Sequence, residues 1–280
     1  MPPVKGLRDE NGWEWRVYSP EGCASGRFGH ADHVESTPSP LKWSPAGAPP
    51  RTALNGDLVR LEVLDPDRHA EALFTASHAA GAERLWEHLP YGPFGSQDEF
   101  TAWLKDRAAS ADPLFFAVVD GESMRALGMA SYLRVVPEHG VIEIGHIWFA
   151  PAMQRTRQAT EAIFLLARHA FDDLGYRRLE WKCDSRNEPS RRAADRFGFT
   201  FEGIFRQHQV VKGRNRDTAW FSMTDGEWPI RRAAFEAWLA PENFDDAGRQ
   251  RRTLSDVREA IVSSAPPPAL RATSPAERGG

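Results

Sequence analysis

The chain is poor in several things at once. Only two of its 280 residues are cysteine, Cys23 and Cys183. Two are too few for a disulfide framework or a cysteine zinc site, and the pattern suits a reducing compartment. No apolar run approaches the roughly 18 residues that a membrane helix needs. The first twenty residues lack the apolar stretch of a secretory leader, and they carry Asp9, Glu10 and Glu14, which a transit peptide avoids. An excess of positive charge is missing too: the net charge is −4 and the isoelectric point about 6.2. Nothing in the chain as a whole draws it to a phosphate backbone or an anionic membrane. The expectation is a cytoplasmic protein with neither a nucleic-acid nor a membrane partner, and no metal site is foreseen.

What is present suits a globular protein with one sizeable core, since 41% of the residues are hydrophobic and 26% charged. Residues 1–50 are rich in Pro, Gly and Ser, and Trp13, Trp15, Tyr18 and Trp43 show no sustained period, so this reads as an irregular extension. The tail 263–280 has the composition of disordered chain. Between these ends, Leu58 to Leu64 alternates as a strand and Asp65-Pro66 opens a helix. A second helix covers Gln97 to Ala109, and strands follow over Leu114–Val119, Ala126–Val136 and Val141–Phe149. A long helix ends at Leu174 before Gly175; a strand covers Arg178–Cys183 and a helix Pro189–Phe197; two strands then flank a turn at Gly213. This order mixes hairpins with crossover helices and predicts an α/β fold with one mixed sheet and helices on both faces.

The stretch WFAPAMQRTRQATEAIFLLARHAF, Trp148 to Phe171, carries the chemistry. Ala159, Ala162, Ile163, Leu166, Ala167, Ala170 and Phe171 recur at helical spacing, so the helix begins near Thr156 or Arg157. The preceding loop then presents free backbone N–H groups beside Gln154, Arg155 and Arg157, an arrangement suited to a pyrophosphate. No glycine lies between Pro151 and Ala159, which excludes both a P-loop and a GxGxxG turn. The next strand-helix junction offers Asn187 as an N-cap and Ser190 one turn on. Two adjacent parallel strands that each end at a helix start form a crevice for an extended nucleotide ligand.

With those residues in view, Leu58 to Pro229 resembles the GNAT superfamily of acyl-CoA-dependent N-acetyltransferases, in the branch similar to the ribosomal-protein alanine N-acetyltransferases. The resemblance rests on IEIGHIWFAP, QRTRQATEA, NEPSRRAADRFGF and FEGIFRQHQVVKGRNRDTAWFSM. It implies a mostly antiparallel sheet with a splayed parallel pair and an acetyltransferase domain over residues 56–229. The helical segment 230–262 would pack on that domain and is a candidate support for a homodimer. It also implies transfer of an acetyl group from acetyl-CoA to a primary amine, either a protein N-terminal α-amine or a small molecule. The alternative is a non-catalytic acyl-CoA-binding regulatory module.

The family's phosphate loop, Gln/Arg-x-x-Gly-x-Gly/Ala, maps onto Gln154, Arg157 and Ala159. Arginine stands where glycine is usual, and its guanidinium is expected to add a bidentate phosphate contact if its φ is negative. Trp148, Phe149, Gln154, Arg155, Thr156, Arg157, Gln158, Ala159, Asn187 and Ser190 are the implied coenzyme A contacts. Strand alternation sets Glu143 and His146 on opposite faces, His146 with Ile142, Ile144 and Trp148. Glu143 is the candidate base or water-positioner. The tyrosine that many members use toward the leaving thiolate is replaced by Ala194, and Ser190 is the candidate hydroxyl in its stead. Trp86, Tyr91, Arg206 and His208 are candidate acceptor contacts, with Arg214 and Asp217 beside them as acceptor contacts or cross-strand pairs.

Overall fold

The structure, a computed structural model, describes residues 41–264 and two short strands, Leu7–Arg8 and Glu14–Trp15. Those two strands pair antiparallel within a unit formed by Met1–Trp43, and a second unit spans Ser44–Gly280. The expectations for the rest of residues 1–40 and for the tail from residue 265 lie outside the described residues.

In the larger unit the elements are β1 (Leu54–Asn55), β2 (Val59–Val63), α1 (Pro66–Ser77), α2 (Gln97–Ala109), β3 (Leu114–Asp120), β4 (Ala126–Val136), β5 (Val141–Phe149) and α3 (Arg157–Arg168). They continue as β6 (Arg178–Asp184), α4 (Glu188–Phe197), β7 (Thr200–Val211), β8 (Arg214–Thr224), α5 (Trp228–Leu239) and α6 (Leu254–Ser264). The helices start where their caps are. Asp65 accepts from the Asp67 amide, Ser96 from Glu99, Thr156 from Ala159, and Asn187 from Ser190. The long helix differs from expectation at its far end: the α-helix stops at Arg168 and His169–Asp173 continue as a π-turn, clasped by His169 Nδ1 and Asp173 Oδ2 at 2.9 Å.

One eight-stranded sheet runs in the order β1-β2-β3-β4-β5-β6-β8-β7. Every neighbouring pair is antiparallel except β5 and β6. The parallel ladder is short: it runs from Val141↔Arg178 to Ile144↔Trp181 and stops there, although both strands continue. The unpaired halves of β5 and β6 splay, and the two helices α3 and α4 start just beyond them.

Each face of the sheet buries a different layer. Ile142, Ile144, Tyr132, Leu179 and Trp181 pack with the apolar faces of α3, α4 and α5 in one cluster. Phe115, Met129 and Trp148 pack with Leu73, Phe100, Leu104 and Trp86 under α1 and α2 in the other. Burial of this kind stabilises by about 25 cal/mol per Å² of apolar surface. On β6 the alternate residues on the other face are Arg178, Glu180, Lys182 and Asp184, so that part of the sheet is polar, with its charges paired and largely buried.

Candidate active site

A cleft of about 1970 Å³ follows the line where β5 and β6 part. Its floor is His146 to Phe149 of β5 and Trp181 to Asp184 of β6; one end is closed by Gln154 to Thr160, the other by His88, Leu89, Pro90, His208 and Arg216. The hairpin between β7 and β8 turns on Lys212 and Gly213, both with positive φ (48° and 73°), as a two-residue hairpin requires. From that turn Lys212 Nζ donates to the Trp86 carbonyl at 2.7 Å and holds the hairpin tip over the acceptor end.

The loop before α3 is built as an anion site. Met153 and Gln154 amides bond back to the Ala150 carbonyl, which leaves the amides of Arg155, Thr156, Arg157 and Gln158 without acceptors among the described residues. Positive φ falls on Arg155 (61°), not on Arg157, which is the first residue of α3. The condition for an arginine in the glycine position is therefore met. Its guanidinium goes elsewhere, however: Nη2 donates to the Leu239 carbonyl at 2.6 Å and the group lies 4.3 Å from the centre of the Phe244 ring. The guanidinium expected to make a bidentate phosphate contact instead tethers the loop to the C-terminal segment, whose Phe244 also lines the cleft. Gln154 spends its side-chain amide on the Phe149 carbonyl at 2.9 Å. Gln158 turns its own toward Asp120, whose pKa lies below the usual value against the effect of burial, chiefly because the Ser123 hydroxyl and amide bond its Oδ2.

On β5 the alternation breaks. Gly145 faces Ser131 and Trp148 faces Met129, so His146 and Ile147 together oppose Ala130, and His146 takes φ 51°. One extra residue in a strand flips every later side chain to the other face. The expected opposition of Glu143 and His146 is therefore wrong: His146 and Trp148 join Glu143 and Gly145 on the face of α1 and α2, parted from Ile142 and Ile144. His146 Nδ1 lies 3.2 Å from Tyr91 Oη and its ring stacks on Tyr91 and meets Phe115. Burial, aided by the charges of Arg107 and Arg216, pushes its pKa down to about 4, so at neutral pH it is an uncharged imidazole.

Glu143 is 5% exposed and sits in a ladder of charge. Its Oε2 receives Lys182 Nζ at 2.9 Å and lies 3.3 Å from Arg134 Nε; Lys182 also reaches Glu180 at 2.5 Å and stands 3.8 Å from the Trp220 ring centre. Both cations lie on one oxygen, and Oε1 has no hydrogen-bond or ion-pair partner among the described residues. Burial raises the pKa of Glu143 against the pull of Lys182 and Arg134. A carboxylate held in place, with one oxygen unbonded and a raised pKa, is suited to receive a proton.

Ser190 Oγ accepts from the Trp181 indole N–H at 3.0 Å and lies beside the Cys183 thiol, whose pKa burial pushes up. Accepting one bond leaves Ser190 its own proton to give. Asn187 caps α4 through Oδ1.

Three of the four expected acceptor contacts do not line the cleft. Trp86 is 2% exposed and packs among Trp148, Phe94 and Tyr91, because an indole of that size is worth more buried than at a rim; its neighbours His88, Leu89 and Pro90 line the cleft instead. Tyr91 stands behind His146, and burial raises its pKa. Arg206 is exposed and not among the lining residues, whereas His208 is. Phe205 pairs with Thr218 and Gln209 with Arg216, so residues 206–208 bulge around Asp217, with Gln207 at φ 51°, and the bulge parts two side chains that regular alternation would keep together. Asp217 accepts from the Gln207 amide and from Asn215 inside that bulge, and Arg214 is exposed on the hairpin. Arg134, Lys182, His88 and Arg216 were not foreseen; the alternation Arg178, Glu180, Lys182 along β6 was the available signal for the polar face.

A family model described as an acetyltransferase (GNAT) domain matches residues 59–200. A solved GCN5-related N-acetyltransferase from Brucella melitensis is 52% identical, covers 78% of this chain and 99% of its own, and superposes with a TM-score of 0.77. A solved GNAT-family protein from Chromobacterium violaceum is 53% identical with a TM-score of 0.64, over 69% of this chain and 96% of that one. A Bacillus subtilis protein named "Putative ribosomal N-acetyltransferase YdaF" is 31% identical over 101 residues, 36% of this chain and 55% of its own length.

Proposed function

The chain belongs to the acetyltransferase (GNAT) family and is an acyltransferase, and from that premise we propose that it carries an acetyl group from acetyl-CoA to a primary amine, by direct attack of the amine. The observation that carries this reading is the run of four amides, Arg155 to Gln158, left without acceptors at one end of the cleft whose other end holds the unbonded Glu143 Oε1. Amides at a helix start beside an arginine fit the pyrophosphate of coenzyme A. Bound there, acetyl-CoA supplies an activated acyl carbon and a thiolate leaving group.

The chain's own task is to deliver a neutral amine. Taking the proton from a lysine ammonium near pH 7 costs about 4 to 5 kcal/mol, from an α-ammonium about 1 kcal/mol. A single carboxylate of raised pKa suffices for the second, which favours an α-amine as acceptor. Glu143 Oε1 receives the proton directly or through one water, while Lys182 and Arg134 keep the carboxylate from turning. Ser190, polarised by Trp181, donates toward the sulfur.

The test is release of free thiol from acetyl-CoA with a panel of amino acids, N-terminal peptides and polyamines, with acetyl-CoA binding measured by calorimetry. Turnover with α-amines is expected. Tight binding with no turnover on any amine would overturn the reading.

A further inference from the structure

Arg216 lies on β8 two residues before Thr218, the first residue of that strand to pair with β6, and lines the acceptor end of the cleft. It shares the face of Thr218 and Trp220 and so the face of Lys182 and Glu143. Among the described residues no carboxylate lies within ion-pair distance of its guanidinium, and its Nε is buried with no hydrogen-bond partner. The carboxylates around it already hold other partners. Glu143 belongs to Lys182 and Arg134, Glu180 to Lys182 and Arg178, and Asp184 to Arg186 through contacts of 2.9 and 3.1 Å. Asp217 is occupied by the Gln207 amide and Asn215.

The guanidinium of Arg216 is thus left without an ion-pair partner, at the point where the cleft needs to recognise an acceptor. Its field reaches far into the site: it helps depress the pKa of His146, and that of His208 after burial and Arg134. A half-buried guanidinium with no ion-pair partner, feeling Asp184 and Glu143 only at longer range, is unfavourable by itself. Such a group is matched when an anion binds, and a planar fork matches a carboxylate best.

We propose that Arg216 anchors a carboxylate carried by the acceptor, so that the substrate class is an amine bearing a carboxylate close to its nitrogen. This inference rests on the acetyl transfer proposed above, with the amine at Glu143 and the carboxylate at Arg216. Two sources share that chemistry: a free α-amino acid, and a peptide with Asp or Glu just after its N-terminus.

The test uses the full chain and matched acceptors: amino acids against their carboxamides, and peptides with second-position Asp or Glu against Asn or Gln. In the wild type the carboxylate partner of at least one pair should win in kcat/KM by about 10- to 100-fold, the size of one charge-assisted pair. Arg216→Gln should remove that preference mainly through KM and leave the carboxamides within about 2-fold; Arg216→Lys should restore part of it. The pair that shows the preference identifies the source. Equal rates for carboxylate and carboxamide in the wild type, or a uniform loss in Arg216→Gln, overturns the proposal while leaving acetyl transfer standing. If no acceptor turns over, acetyl transfer fails, and thermal-shift binding of the same acceptors with coenzyme A present decides on Arg216: stabilisation by carboxylate partners alone, lost in Arg216→Gln, supports the anchor, and any other pattern refutes it.

Discussion

Replacing Lys182 by methionine tests the charge ladder under the cleft. The Nζ is removed from between two carboxylates, 2.9 Å from Glu143 and 2.5 Å from Glu180, where the lysine side chain is 3% and that of Glu143 6% exposed. Glu180 keeps Arg178 at 2.7 Å, while Glu143 keeps only Arg134, whose side chain is 46% exposed. Breaking a buried pair from one side costs about 3 to 5 kcal/mol. Glu143 has an escape, which is to take up a proton; from an ordinary glutamate pKa that costs about 3.7 kcal/mol at pH 7 and about 1 kcal/mol at pH 5. The penalty of Lys182→Met is therefore about 3 to 4 kcal/mol at neutral pH and shrinks toward 1 kcal/mol at pH 5. The sign follows from linkage: removing the lysine raises the native-state pKa of Glu143 further, so the native state holds a proton that the unfolded state releases, and stability falls as pH rises above the unfolded value. Urea unfolding followed by tryptophan fluorescence at the two pH values measures the difference, and Glu143→Gln/Lys182→Met should recover most of the loss at pH 7. A penalty equal at both pH values, or a double variant no better than the single, refutes the argument.

Glu143→Gln should lower kcat/KM by about 10²- to 10⁴-fold, the span of a general base, and its pH–rate profile should lose the rising limb that begins above the usual carboxylate range; a loss under 3-fold removes Glu143 from the chemistry. His146, with a native pKa of about 4, is neutral in the fold and protonates more readily when unfolded, so its contribution is complete above about pH 6.5 and is lost as pH falls toward 4, up to about 3 kcal/mol. His146→Asn, which tolerates the positive φ, should flatten that acid limb in urea titrations at pH 4 to 7. Arg155→Asn, which likewise tolerates positive φ, should weaken acetyl-CoA binding by about 10-fold in calorimetry, whereas Arg157→Gln should chiefly lower stability through the lost contacts to Leu239 and Phe244.

The local rules held where a single element decides the outcome. The apolar spacing from Ala159 to Phe171, the cap at Thr156, the cap at Asn187 and the left-handed Gly198 are all determined by residues within one turn of each other, so the sequence by itself determined where α3 and α4 begin, where α4 ends, and that free amides gather at the start of α3. It also determined the mixed sheet, because strand-helix-strand order leaves few ways to connect. What only the tertiary structure decided were the features that need two distant segments at once. The bulge at His146 exists against Ala130 and moved His146 and Trp148 to the face of Glu143, which no period-2 reading could show. The Arg157 guanidinium was tethered to Leu239 and Phe244, some eighty residues further along the chain. Lys182, Arg134 and Arg216 became a site only when β4 on one side of the splay and β6 and β8 on the other came together around it. A side chain's identity and spacing determine which element it joins; its partners, and hence its charge and its use, depend on which other strands pack beside it.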